Sequence, residues 1–238
     1  MAKLRLDKFL ADAGLGTRSE VKKLVRSGRV ALDGTICKQA DAKVETKQME
    51  VCVDGRVISY AEVSYYMLHK PAGVVSATAD TRDKTVLDLI TEEKRRDLFP
   101  VGRLDKDTEG LLLITNDGKL ANRLLAPGKH VEKCYYARIN GLVTKDVVQR
   151  FAEGVDIGDE KLTLPAKLTI LTAQQSESEI EIVITEGRYH QIKRMFEAVG
   201  LSVLYLKRLR MGKLVLDETL PCGNYRELTQ QEIDALYE

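Results

Sequence analysis

The chain has 238 residues, of which 44% are hydrophobic and 31% charged, proportions typical of a folded globular protein. No apolar run approaches the ~18–20 residues that a membrane-spanning helix needs. Charged residues begin at Lys3, so an apolar signal core is missing. We therefore expect a cytoplasmic protein and neither secretion nor membrane insertion.

Charge is distributed unevenly along the chain, although the formal net charge is only +1. Residues 1–60 contain twelve basic and eight acidic side chains, whereas the remainder carries a small net negative charge. A small basic module joined to a larger, slightly acidic body is typical of a protein that binds a polyanion. The sequence thus predicts two domains, a binding module over residues 1–60 and a body over residues 61–238.

The N-terminal module is predicted to contain two short helices and a few strands. Apolar residues at helical spacing predict helices over about residues 4–13 and 17–27, and each is followed by a glycine. Residues 29–32 and 51–53 are strand-like, and Asp33-Gly34 is a typical hairpin turn. The pattern indicates a compact helix–helix–strand module.

Basic side chains are concentrated on the second predicted helix and just beyond it. Glu20 is the only acidic residue between Arg18 and Arg29. Lys22 and Arg26 are four residues apart and share a helix face. A solvated charged face would also fit, but the scarcity of acidic partners favours RNA, whose phosphates such a stripe contacts with little sequence readout. The candidate RNA-binding residues are Arg5, Arg18, Lys22, Lys23, Arg26 and Arg29.

Strand-like and helix-like segments alternate irregularly in the body. Because they do not form strict strand–helix–strand repeats, we expect an α+β domain with a mixed, largely antiparallel sheet and flanking helices. The predicted strands cover residues 63–70, 111–115, 134–139, 168–171, 180–185 and 203–206. The predicted helices lie near residues 85–97, 118–125, 144–153, 189–199 and 229–237.

The densest cluster of reactive side chains is the sequence GRLDKDTEG at residues 102–110, directly before an apolar strand. Asp105 and Asp107 are two residues apart and would face the same way in an extended chain, so a carboxylate dyad is conceivable. Arg103 and Lys106 favour ion-paired, ionised acids instead. A polar loop with structural carboxylates fits the spacing equally well.

A second cluster, over residues 186–196, is strongly basic and opens a predicted helix. Arg188, Lys193 and Arg194 place positive charge where it opposes the helix dipole. An anionic partner is therefore expected, either a carboxylate such as Asp105 or a substrate phosphate. Elsewhere, Tyr135 and its neighbour Tyr136 lie on a predicted strand, so one should enter the core and the other is available to stack on a base.

The sequence contains no motif for a metal or a nucleotide cofactor. The four cysteines form no CxxC pair, and the three histidines show no ligand spacing. Glycine-rich phosphate-binding loops and a Gly-x-Ser-x-Gly nucleophile motif are also missing. We expect reduced cysteines, no metal, and chemistry by ordinary side chains without a cofactor. A hydrolase built on the two aspartates remains a minor alternative.

Residues 102–111, GRLDKDTEGL, resemble the GRLDxDTxGL signature of bacterial ribosomal RNA pseudouridine synthases. Lys70-Pro71-Ala72-Gly73 resembles the first motif of that family, residues 187–195 resemble its last basic motif, and Tyr135 stands where its active-site tyrosine stands. The N-terminal module resembles the RNA-binding domain of ribosomal protein S-four. Taken together, the chain is most similar to the small-subunit type of the family.

The resemblance implies isomerisation of a uridine in 16S small-subunit rRNA to pseudouridine, without a cofactor. Asp105 is implied as the nucleophile that acts on a flipped-out uridine, and Tyr135 as the side chain that stacks on the base. Lys193 would keep Asp105 ionised, and Arg103 would fill the space that the uridine vacates. Related branches carry arginine at the Lys193 position, so Lys193 or Arg194 could be the partner of Asp105. Arg103, Arg188 and Arg194 are the expected substrate-binding residues.

The expected partner is ribosomal RNA, within a small-subunit assembly intermediate, bound by a monomeric protein. Two alternatives stay open. The same chemistry could act on a uridine of the large-subunit 23S rRNA, because the target is selected by the whole RNA surface. A non-catalytic RNA-binding or ribosome-assembly protein would require Asp105 to be incidental.

Overall fold

The computed structural model describes residues 3–46, 48–58, 63–91 and 97–238. The chain forms two compact units, one comprising Met1–Ser64 with Ile90–Leu98 and the other Tyr65–Leu89 with Phe99–Glu238. The expected domain boundary at residue 60 falls among residues 59–62, outside the described part of the chain. No helix in the described ranges is long and apolar enough to cross a bilayer.

The smaller unit contains helices α1 and α2, two small sheets and one apolar core. Thr17 begins α2 with a capping box, in which the Thr17 and Glu20 side chains accept hydrogen bonds from each other's backbone amides. The core includes Phe9, Val21 and Val30. The helices are α1 (Leu6–Asp12) and α2 (Arg18–Arg26). The strands are β1 (Lys3–Arg5), β2 (Val30–Leu32), β3 (Thr35–Ile36), β4 (Lys43–Glu45), β5 (Val51–Val53) and β6 (Arg56–Val57).

The predicted hairpin turn at Asp33-Gly34 is confirmed between β2 and β3. Both residues have positive φ, 46° and 78°, which is the backbone that a tight two-residue turn requires. Strands β3, β2, β5 and β6 form one antiparallel sheet in that order, and β1 pairs with β4 in another.

A nine-stranded sheet is the frame of the larger unit. Its strand order is β11-β12-β10-β13-β9-β7-β15, with β14 paired to β13 and β8 to β9. Every pair is antiparallel except β13–β9, which is parallel. The α+β class and the mixed, largely antiparallel sheet are therefore confirmed. The strands are β7 (Tyr65–Lys70), β8 (Phe99–Pro100), β9 (Glu109–Thr115), β10 (Lys133–Asn140), β11 (Lys167–Ala173), β12 (Glu177–Ile184), β13 (Ser202–Met211), β14 (Leu214–Val215) and β15 (Tyr225–Glu227).

Four helices flank this sheet at positions that the sequence predicts. The Asp117 side chain accepts hydrogen bonds from the amides of Lys119 and Leu120 and so begins the first of them. The rings of Phe151 and Phe196 pack together with centroids 4.9 Å apart, and they join two helices to a common core. The four are α3 (Gly118–Leu125), α4 (Lys145–Glu153), α5 (Gln191–Glu197) and α6 (Gln230–Tyr237).

The predicted helix near residues 85–97 is wrong over its first part. A single 3-10 turn, Val86–Leu89, is present instead. Thr85 forms a parallel bridge with Val75, and its amide and hydroxyl donate to Asp88, so the chain is held in a tight local turn. Residues 92–96 lie outside the described part of the chain. The apolar spacing here serves burial of Val86 rather than a long helix.

Candidate active site

The GRLDKDTEG loop, residues 102–110, is fixed to the sheet at its C-terminal end by Gly110. Gly110 has φ of +102° and lies where β9 meets β13. A Cβ atom there would lie 2.3 Å from the Arg208 carbonyl oxygen, so only glycine permits this approach of the two strands. The loop therefore leaves the sheet at a defined position.

The side chain of Lys70 supports the same loop through hydrogen bonds to its backbone. Its side chain is fully buried at the end of β7. The Nζ atom donates to the carbonyl oxygens of Asp105 at 3.1 Å, Lys106 at 3.3 Å, Thr108 at 2.8 Å and Pro71 at 3.0 Å. Burial lowers the pKa of Lys70 to about 8, although nearby acids oppose the shift. The sequence predicts a turn here but gives no sign of this buried cation.

Lys193 contacts the carboxylates of two residues of this loop, Asp105 and Asp107. Lys193 Nζ lies 2.6 and 2.8 Å from the two carboxylate oxygens of Asp107, and 3.3 Å from Asp105 Oδ2. The Asp105 side chain remains 27% exposed, so a substrate can reach it. The sequence leaves open whether Lys193 or Arg194 pairs with Asp105, and in the structure the partner is Lys193.

The electrostatics favour charged forms of both Lys193 and Asp107. Burial tends to lower the pKa of Lys193, but its hydrogen bond to Asp107 and the charge of Asp105 raise it on balance. Burial likewise tends to raise the pKa of Asp107, but the hydrogen bond from Lys193 brings it below the ordinary value. Asp107 is thus a partner of the same lysine that contacts Asp105.

His190 also lies at the site, although no sequence pattern indicates it. Its Nε2 lies 3.6 Å from Asp105 Oδ1. The backbone of His190 is left-handed, with φ of 48°, and it precedes α5 directly. A left-handed histidine is uncommon and cannot be read from a single sequence, so only the tertiary structure reveals this neighbour of Asp105.

The expected ion pairing of the loop acids with Arg103 and Lys106 is wrong. Lys106 Nζ pairs with Asp83 at 2.7 Å, and the Arg103 side chain is exposed. The compensating cation comes instead from α5, 86 residues farther along the chain. The error arises because neighbours in a tight loop point in different directions, whereas Lys193 approaches from the facing helix.

Arg188 and Arg194 do find the anionic partner that their position requires, but it is Asp159. Arg194 Nη2 lies 2.6 Å from Asp159 Oδ1, and Arg188 Nη1 lies 3.3 Å from Asp159 Oδ2. Arg188 also pairs with Glu186 at 3.1 Å and donates to the carbonyls of Lys161 and Leu162. Both guanidinium groups are therefore engaged in holding the loop before β11.

Tyr135 lies on β10, opposite Ile182 on one side and Arg208 on the other. Only 8% of it is exposed, so the ring is nearly covered in this structure. Tyr136 is half-buried on the other face of the strand and meets Tyr205 edge-on at 6.1 Å. Both tyrosines are thus largely packed, with Tyr135 the more buried.

The basic residues of the smaller unit differ in how free they are. Arg5 donates two hydrogen bonds of 3.0 Å to Asp7, and Lys22 lies 3.9 Å from the same carboxylate. Arg29 pairs with Asp54. The inference that acidic partners are scarce is therefore wrong, because partners come from outside the helix. Of the six candidate RNA-binding residues, Arg18, Lys23 and Arg26 are exposed and make no ion pair with any described side chain.

Comparison with known proteins shows the family of this chain. A family model described as RNA pseudouridylate synthase matches residues 64–198, more than half of the chain. The S4 domain model matches residues 4–51. The chain belongs to the RNA pseudouridine synthase family. It is therefore an isomerase, and its N-terminal part is an S4-type RNA-binding module.

Within the described residues, no group of three His, Cys, Asp or Glu side chains could hold a metal ion.

Full-length relatives support the assignment. The chain is 48% identical to "Uncharacterized RNA pseudouridine synthase YtzG" of Bacillus subtilis, and the match covers 99% of both chains. It is 41% identical to "Ribosomal small subunit pseudouridine synthase A" of Vibrio cholerae, over 98% of this chain and 100% of the relative. A solved "pseudouridylate synthase" is 38% identical with a TM-score of 0.69, covering 98% of this chain and 99% of the other.

Replacement of Lys193 by methionine in this synthase is expected to lower kcat by roughly 100-fold. The substitution keeps the side-chain length but leaves Asp105 and Asp107 facing each other without the cation that both contact. Steady-state turnover on RNA, with thermal unfolding as a check on folding, measures the effect. Lys193→Arg is the control and should stay within about tenfold of wild type, because it keeps the charge. Equal losses in both variants would contradict this role of the charge.

Proposed function

We propose that this synthase converts one uridine of 16S small-subunit rRNA to pseudouridine, with Asp105 as the nucleophile. The observation that carries the proposal is the Asp105 carboxylate, partly exposed and held 3.3 Å from Lys193 on a loop that buried Lys70 fixes. A nucleophilic carboxylate must be anionic, and a fixed cation beside it balances its charge. The name of the Vibrio cholerae relative favours the small subunit.

In the proposed reaction, Asp105 attacks C1′ of the uridine or promotes cleavage of the glycosidic bond through a glycal intermediate. The N1–C1′ bond breaks, the uracil rotates, and a C5–C1′ bond forms. If Asp105 has attacked C1′, the bond from C5 displaces the carboxylate and the Asp105–C1′ ester bond breaks. On the glycal route, the proton lost from C2′ is returned when C5 bonds to C1′. The C5 proton is lost and N1 gains a proton, so the reaction needs no redox partner or group donor. Lys193 balances the charge of Asp105 while the carboxylate acts. Because the base lies inside folded RNA, it must first flip out, at a cost of a few kcal/mol.

The other site residues have supporting roles in this proposal. Tyr135 stacks on the flipped base, which requires that the base enter against the β10 face where the ring lies. Arg103, exposed on the reactive loop, occupies the space that the uridine leaves. Arg188 and Arg194 act as positioning residues. Their guanidinium groups pair with Asp159 and so hold the loop before β11 in place.

The S4-type module supplies sequence-independent affinity for RNA phosphates in this proposal. Among the six candidate residues, Arg18, Lys23 and Arg26 make no ion pair with a described side chain, whereas Arg5, Lys22 and Arg29 would have to exchange a carboxylate partner for phosphate. We further propose that the protein acts as a monomer in the cytoplasm, on rRNA within a small-subunit assembly intermediate.

Joint replacement of Lys22, Lys23 and Arg26 by alanine is expected to weaken rRNA binding and to flatten its salt dependence. Each lost phosphate contact lowers the slope of log K against log salt by roughly 0.7–0.9, so a decrease of about 2 is expected. Binding titrations between low and moderate salt measure it. A variant with Lys119, Lys145 and Lys167 replaced makes the same charge change in the larger unit and should change the slope less. An unchanged slope in the first variant would refute docking through the module.

The decisive experiment maps pseudouridines in rRNA from cells with and without this protein. The expected result is the loss of one pseudouridine in 16S rRNA and its return when the wild-type chain is restored. Loss of a site in 23S rRNA instead would show that the chemistry is right and the target wrong. No difference in either rRNA would contradict the proposal.

A further inference from the structure

Tyr189 carries a largely uncovered aromatic ring next to the candidate active site. It is 76% exposed, the highest value among the large hydrophobic side chains in the described part of the chain. Its ring stacks on the imidazole of His190, with centroids 3.9 Å apart and planes at 17°. Since one face lies on His190, the exposed area is the opposite face.

This stack is attached directly to the reactive loop. The lower ring, His190, places Nε2 3.6 Å from Asp105 Oδ1. Lys193, three residues farther on, contacts Asp105 and Asp107. The open face of Tyr189 is therefore a flat aromatic surface fixed beside the carboxylate that the proposed function makes the nucleophile.

We propose that the open face of Tyr189 stacks a nucleobase adjacent to the reacting uridine in the RNA. The inference rests on the proposed function, because it requires RNA at Asp105. Every base has a π-face, and single-stranded or splayed RNA is commonly held by bases stacked on aromatic rings. The His190 ring already fills the layer beneath Tyr189, so the outer layer suits a neighbouring base, while Tyr135 serves the uridine itself.

A different role for Tyr189 would be to brace His190 without touching RNA. The two roles predict different behaviour. A brace acts equally with and without RNA, whereas a stacking surface changes its environment when RNA binds. The sequence offers a direct way to see this, because the chain contains no tryptophan.

The test is a Tyr189→Trp variant, whose single tryptophan reports on this surface. Its fluorescence is titrated with a short RNA hairpin that contains the uridine mapped above, and binding is followed in parallel by gel shift. We expect fluorescence quenching that saturates with binding. The control is Leu171→Trp, at a 47% exposed position on β11, which should bind RNA without comparable quenching. Binding without quenching at position 189 would overturn the inference and leave the proposed function intact.

Abasic RNAs identify the stacked base. A hairpin that lacks the base next to the uridine on one side should bind with much less quenching of the Tyr189→Trp variant. If quenching is lost only when the target base itself is removed, the assignment to a neighbour is wrong. Absence of any mapped uridine, or of any RNA binding by the wild type, would overturn both the proposed function and this inference.

Kinetics provide an independent readout. Tyr189→Ala is expected to lower kcat/KM by roughly tenfold or more, mainly through KM, while Tyr189→Phe stays near wild type because the ring is kept. Replacement of Asp105, in contrast, is expected to abolish turnover and so to lower kcat. Unchanged kcat/KM in Tyr189→Ala, or a loss confined to kcat, would overturn the stacking role.

Discussion

An Asp105→Asn variant is expected to lose pseudouridine formation by at least about 10⁴-fold while it still binds RNA. Asparagine has the same shape, so the loop held by Lys70 keeps its backbone, but a neutral amide cannot act as the carboxylate nucleophile. Release of tritium from RNA labelled at uridine C5 measures the reaction, because C5 loses its hydrogen when it joins C1′. Gel shift at the same salt concentration measures binding.

Asp107→Asn is the matched control, since it is the same substitution two residues away and on the same lysine. The Asp107 side chain is 70% exposed and hydrogen-bonds Lys193. Its loss frees Lys193 for Asp105, so activity should stay within about tenfold of wild type. A dyad hydrolase would require equal losses in the two variants and release of a cleaved product. Normal turnover by Asp105→Asn would remove the basis of the proposed mechanism.

Lys70→Met is expected to destabilise the protein by about 2–4 kcal/mol and to lower kcat by roughly 100-fold. The methionine side chain fits the buried position but cannot donate to the carbonyls of Asp105, Lys106 and Thr108. The loop that carries Asp105 then loses its support. Denaturant unfolding and steady-state turnover on RNA measure the two effects.

Lys106→Met is the control for the buried lysine, because it removes the same charge from the same region. Lys106 makes only an exposed ion pair with Asp83, so its loss should cost under about 1 kcal/mol. Equal effects of the two substitutions would show that the buried amine does not organise the loop.

The pH dependence of stability gives a third view of Lys70. Its pKa is about 8 in the folded protein and 10.5 ordinarily. Between these values the folded state has released the proton while the unfolded chain still binds it, so rising pH favours folding. The stability of wild type should therefore rise relative to Lys70→Met between about pH 8 and 10. A constant difference across that range would contradict the buried position of the amine.

Local patterns were enough to predict much of the frame. The helix at residues 118–125 is right because Asp117 is a strong capping residue and the apolar spacing is clear. The turn at Asp33-Gly34 is right because few residue pairs tolerate positive φ. The helix near residue 85 is wrong because Thr85 pairs with Val75, a non-local contact that the spacing of apolar residues does not show.

The sequence by itself determined the family motifs and the fold class, since these depend on residue types at short, fixed spacings, and the resemblance that the motifs carry implied Asp105 as the candidate nucleophile. Only the tertiary structure decided which charges meet. Lys193 rather than Arg194 faces Asp105, Asp159 takes up Arg194, and buried Lys70 holds the loop. The reason is physical: ion pairs and buried donors join side chains far apart in the chain, and their partners are set by how strands and helices pack.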